Sequence, residues 1–265
     1  MTPITFSDVS FGYPGLDELV FSDLNLELPG GFTFLVGPNG IGKSTLMLLA
    51  GARVFPQKGT VTIGGTDTRE FADAAFDPEV EQRRNELVSF VYQNMEFETD
   101  EPVGTVLSMV ARAGADRGVV PAVELDDRLN VRMGQLSKGE MQRAIVAMSV
   151  LYRSAVVMLD EPVFAVEPDR AERLFAWLQG YCARTGFDMY TSVHDVELAR
   201  KFGDSVVLMR KDGTITAGPA GELLSRDSLE EAFRAPYDTL YRRQRLYREL
   251  LQSGTGEGDV SEGDR

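Results

Sequence analysis

The segment GPNGIGKST, Gly37 to Thr45, follows directly on the apolar run FTFLV and opens into KSTLMLLAGAR, which has the spacing of a helix. It matches the pattern G-x-x-x-x-G-K-[ST] in full. A strand, a glycine-rich turn and a helix in that order restrict the chain to an α/β architecture with a phosphate cradle at a sheet edge. Gly37, Gly40 and Gly42 let the backbone turn its N–H groups inward, and the following helix N-terminus adds its own. Lys43 is expected to reach the β and γ phosphates of a nucleotide and the Ser44 hydroxyl to coordinate Mg²⁺. Pro38, Asn39, Ile41 and Thr45 complete the expected binding loop.

The rest of the chain alternates strands and helices around this element. ITFSDVSFGY, LNLELPGG, GTVTIGG and LVSFVYQ read as strands before residue 94. From Asn94 to about Arg153 the strand signal fades, and VGTVLSMVARAG and GEMQRAIVAMSVLYR carry helical spacing. Strands return with AVVMLD, FDMYTSV and SVVLMRKDGTIT, the last with a hairpin turn at Asp212 and Gly213. YDTLYRRQRLYREL looks like an amphipathic helix, and the Gly, Ser and acid-rich end after it is expected to be disordered. The acidic stretch from Thr68 to Glu86 reads as a solvated surface loop.

AVVMLDEP is an apolar strand ending in acids, which suits a nucleotide hydrolase: Asp160 to hold Mg²⁺ and Glu161 beside it as general base. QLSKGEMQRAIVA starts a helix with a Ser-x-x-Glu capping box from Ser137 to Glu140, and an open helix N-terminus of this kind can face phosphate. Composition narrows the partners. With a formal charge of −14 the chain is a poor candidate for gripping a polyanion, so no nucleic-acid partner is expected. Cys182 is the sole cysteine, which fits a reducing compartment, and no window approaches the roughly 20 apolar residues that span a bilayer.

The ordered set of GPNGIGKST, then Gln93 in VYQN, LSKGE, MLDEP and finally His194 resembles the nucleotide-binding domain of ATP-binding cassette (ABC) proteins over about residues 2 to 220. The resemblance implies an ABC-type P-loop fold: a mixed α/β sheet core with an N-terminal antiparallel β subdomain and an inserted helical subdomain. It divides the chain into core at 1–93, helical insert with signature at 94–153, core again at 154–220, a helical extension at 221–250 and an acidic tail at 251–265. It also implies roles. Tyr13 stacks on adenine; Gln93 touches Mg²⁺ and the attacking water; Ser137, Gly139 and Glu140 bind ATP held by a second protomer; and His194, the only histidine, contacts the γ-phosphate and orients Glu161. Lys138 stands at a usual signature glycine, Glu140 at a usual glutamine and Glu167 at the usual D-loop aspartate.

The implied cofactors are ATP and Mg²⁺. The implied function is the ATPase subunit of a membrane transporter, leaning to import, with a transmembrane permease docked through the insert near Gln93 to Leu107 and a second ATPase protomer. It is expected to be cytoplasmic, peripheral on the inner face of the membrane, without a span of its own. The alternatives are an efflux or lipoprotein-transport ATPase, then a non-transport ABC ATPase.

Overall fold

The computed structural model describes residues 2–16, 18–93, 95–97 and 99–240. The strands in chain order are β1 (Ile4–Phe11), β2 (Phe21–Leu28), β3 (Phe32–Val36), β4 (Lys58–Ile63), β5 (Thr66–Asp67), β6 (Val88–Val91), β7 (Val156–Asp160), β8 (Asp188–Ser192), β9 (Ser205–Met209) and β10 (Ile215–Pro219). The α-helices are α1 (Lys43–Ala50), α2 (Pro78–Leu87), α3 (Val103–Val110), α4 (Val119–Ala122), α5 (Lys138–Tyr152), α6 (Pro168–Thr185), α7 (Val196–Phe202), α8 (Ala220–Leu223) and α9 (Arg226–Phe233).

Two sheets organise them. An antiparallel sheet runs in the order β2-β1-β4-β5, and a second runs β10-β9-β3-β8-β7-β6. The second is parallel from β9 to β6 and closes with the antiparallel hairpin β9–β10, whose turn carries Gly213 at φ 88°. Strands β3, β7 and β8 are buried along their whole length, as expected of parallel strands covered on both faces. Alternate residues then serve opposite layers. Phe32, Phe34, Val157 and Leu159 join the core beneath α6 and α7, while Leu35, Val156 and Met158 join the core shared with α1 and the antiparallel sheet. Between β6 and β7 the described chain forms no named strand; α3, α4 and α5 pack there as a helical layer. Within α6, Cys182 is buried, and burial pushes its thiol up to about 12.

One expectation is corrected. The stretch Thr68 to Glu86 is not a loop but a 3₁₀ turn, Thr68–Phe71, followed by α2. The Asp77 carboxylate caps α2 by accepting from Glu79 N at 2.9 Å, and Pro78 fills the first turn, where its missing N–H costs nothing. No residue of α2 is buried, so the segment is solvated as expected while being helical; Phe71 and Ala74 anchor its start to the core. The expected helix YDTLYRRQRLYREL starts at Tyr237, and residues 237–240 are helical; the rest of it, from residue 241 onward, lies with the acidic tail outside the described residues. Among the described residues no helix is long and apolar enough to cross a membrane.

Candidate nucleotide site

At the end of β3 the backbone passes so close to β9 that a Cβ on Gly37 would lie 2.6 Å from the Met209 carbonyl oxygen. The loop then needs left-handed conformations at Gly40 (φ 75°) and Gly42 (φ 104°), where a side chain would be strained. Gly42 caps α1 without any side-chain acceptor, so the first-turn N–H groups face outward. Asn39, Gly40 and Ser44 are exposed around them, and Pro38 and Ile41 are half-buried. Lys43 folds back under this loop, its Nζ donating to Gly37 O at 3.0 Å and Pro38 O at 3.1 Å. Desolvation lowers its pKa, against the opposing charges of Glu161 and Asp160. A buried ammonium beneath outward-facing amides fits a polyphosphate by the chemistry of its donors. Tyr13 stands beside the loop, its hydroxyl 3.1 Å from Thr45 Oγ1 and its ring edge-on to Phe11.

The acids come from the adjoining strand ends. Register pairs Asp160 with Ser192 across β7 and β8. Ser192 Oγ donates to Asp160 Oδ1 at 2.5 Å and accepts from Glu161 N at 3.0 Å. Glu161 turns out of the strand in the left-handed region, φ 51°. Its carboxylate is held at both oxygens: His194 Nε2 lies 2.7 Å from Oε1, and Gln93 Nε2 donates to Oε2 at 2.9 Å. A carboxylate fixed by two separate donors has one orientation, which is what in-line activation of a water requires.

The third element stands apart. Among the described residues Ser137, Gly139 and Glu140 make no hydrogen bond or ion pair with residues 37–45. The capping box forms: Glu140 N donates to Ser137 Oγ at 3.3 Å, and Ser137 N to Glu140 Oε2 at 2.9 Å. Arg128 Nε donates to Glu140 Oε1 at 2.6 Å, a partnership the sequence does not announce. A Cβ on Gly139 would lie 2.5 Å from Ala165 O, and Ala165 N donates to Gln142 Oε1, so the start of α5 is fitted against the loop that follows Glu161. Glu167 binds Arg170, which also reaches Glu124 of the helical layer at 3.0 Å.

Glu140 carries a pH dependence. Burial alone would raise its pKa, but Arg128 and the Ser137 N–H and hydroxyl together bring it down from 4.5 to about 2. The folded pKa lies below the unfolded one, so the stabilisation is complete above the unfolded value and is lost as pH falls through about 2. Glu140→Gln is therefore expected to lower the urea midpoint at pH 6 and to lower it less at pH 3, measured against the wild-type chain. An equal difference at both values would refute it.

Comparison with known proteins places the family and the fold. Residues 21–164 match the ABC transporter family. The chain is 33% identical over 250 residues to the nickel import ATP-binding protein NikO of Rhodobacter capsulatus, covering 86% of this chain and 94% of that one. It is equally 33% identical over 218 residues to the lipoprotein-releasing system ATP-binding protein LolD 1 of Rhodospirillum rubrum, covering 78% and 93%. The post-hydrolysis dimer of the ATP-binding cassette MJ0796 bound to ADP and Pi shares the fold, with TM-score 0.68, 22% identity and coverage of 82% and 98%. The chain belongs to the ABC transporter family, as an ATP-binding and ATP-hydrolysing cassette.

Proposed function

We propose that this cassette powers an importer in the membrane by closing on ATP with a second ATPase protomer. The observation that carries the hydrolytic part is the Glu161 carboxylate, gripped by His194 from the β8 end and by Gln93 from the entry to the helical layer. In this reading Glu161 is the general base, Asp160, Ser44 and Gln93 hold Mg²⁺, Lys43 and the amides of Gly37 to Thr45 hold the phosphates, and Tyr13 stacks on adenine. Bound Mg²⁺ would supply charge neutralisation at the phosphate oxygens. Ser137, Gly139 and Glu140, which have no polar contact with their own P-loop, serve the nucleotide of the partner protomer.

Import is favoured by the long match to the nickel import protein, which covers more of this chain than the match to the lipoprotein-releasing protein. The permease docks through the insert near Gln93 to Leu107, which places the cassette on the cytoplasmic face. Affinity purification of the tagged chain from detergent-solubilised membranes is expected to bring down a polytopic membrane protein. Reconstituted with that partner, ATP should drive solute into vesicles whose cassettes face outward only if the complex exports, and out of them if it imports. Recovery of the chain without any membrane partner would overturn the reading.

A further inference from the structure

We propose that Ser192 is a positioning residue for hydrolysis, its one hydroxyl setting the Asp160 carboxylate and the backbone turn at Glu161 together. The inference rests on the roles of Asp160 and Glu161 given above. Strands β7 and β8 end side by side, and their register puts Ser192 opposite Asp160. Ser192 is fully buried and Asp160 nearly so, in a part of the sheet whose other residues are largely apolar. A serine hydroxyl has a single proton. Here it is committed to Asp160 Oδ1 at 2.5 Å, a charge-assisted contact, which leaves the oxygen's lone pairs to accept Glu161 N–H at 3.0 Å. The two hydrogen bonds form a relay in one direction, from Glu161 N–H through the hydroxyl to the carboxylate, in which each polarises the other.

Two consequences follow for the site. Asp160 is held by Oδ1, and among the described residues no hydrogen bond or ion pair engages its Oδ2, so the free oxygen has a fixed direction for a cation's water shell. Glu161 lies at φ 51°, a conformation that a residue with a Cβ adopts at a cost and keeps only when its surroundings impose it. The Ser192 hydroxyl anchors the N–H of that very residue. Relaxation of the turn would carry the Glu161 carboxylate away from His194, which stands two residues beyond Ser192 on the same strand end. A serine that merely satisfied a buried position would need one partner; this one joins both acids.

The test uses the purified full chain and four proteins: wild type, Ser192→Ala, Ser192→Cys and Ser192→Thr. Phosphate release is followed against Mg²⁺ at saturating ATP, and nucleotide binding is measured in EDTA. Ser192→Ala is expected to raise the Mg²⁺ midpoint and lower the rate at saturating Mg²⁺, with a combined loss of about 10- to 100-fold, the range seen when the partner of a metal ligand is removed. Ser192→Cys keeps the volume with a weak donor and should fall between; it also decides the matter if the alanine variant fails to fold. Ser192→Thr keeps the hydroxyl and should return the Mg²⁺ midpoint toward wild type. Binding in EDTA should be unchanged in all four. A wild-type Mg²⁺ response in Ser192→Ala or Ser192→Cys would overturn the proposal, as would a loss of EDTA binding in step with activity. Glu161→Gln and Asp160→Asn run in the same assay separate the two readings: if they hydrolyse ATP normally, the roles of the acids are wrong, whereas their inactivity beside a silent Ser192 faults this inference alone.

Discussion

Glu161→Gln should hydrolyse ATP about 10²- to 10⁴-fold more slowly than wild type, the usual loss when a positioned acid or base is removed. The substitution is nearly isosteric: the amide oxygen can still accept from His194, and the new NH2 can donate to the Gln93 side-chain oxygen once that amide flips, so little else need rearrange. What disappears is the second basic oxygen and its charge. Nucleotide binding depends on a different set of groups, Lys43 and the loop amides, and should persist. Loss of the Glu161 charge also removes an anion that offsets the desolvation holding the Lys43 pKa down. Steady-state phosphate release close to wild type would remove Glu161 from the role of base.

Ser137→Arg should abolish hydrolysis while each chain still binds nucleotide at its own loop. Ser137 caps α5, and loss of such a cap costs about 1 kcal/mol, too little to unfold a helix held by Met141, Ala144, Ile145 and Ala147 in the core. Ser137→Ala measures that cost by itself. The arginine adds bulk at the exposed start of α5, and in the proposed shared site it would occupy the space of a phosphate arriving from a second protomer. In a Glu161→Gln background, ATP should drive the chain into a dimer on size exclusion, and Ser137→Arg should prevent it. An equal ATP-dependent dimer in both proteins would count against sharing of the site between protomers.

The parts legible in the sequence are those whose physics is local. Gly37 to Thr45 carry their phosphate-binding geometry in three glycines and a helix start, and β7 and β8 are apolar runs that stop at polar residues. The helix α2 carried a legible start, Asp77 followed by Pro78, but no continuous apolar face, because only Val80 and Leu87 touch the core and neither is fully buried; periodicity is silent for such a helix. Ser192 was invisible for another reason. Its partners are 31 and 32 residues away, and only the register between two strands brings a hydroxyl beneath both acids. The Arg128–Glu140 pair likewise joins a 3₁₀ turn, Asp126–Arg128, to a helix cap, and nothing in either segment names the other. The one hint at Ser192 was its place at the end of an apolar strand, two residues before the single histidine.

The buried thiol of α6 has a practical meaning for following motion in this protein. Cys182 is 2% exposed and, with burial pushing its pKa up to about 12, is almost wholly protonated at neutral pH, so maleimides and other thiolate-directed probes should pass it by. The native chain is thus already a silent background for labelling. Cysteines introduced at exposed Met109 in the helical layer and at exposed Glu79 in α2 can carry a fluorescent donor and acceptor without any compensating change inside the core, and rotation of one layer against the other becomes a distance read in solution.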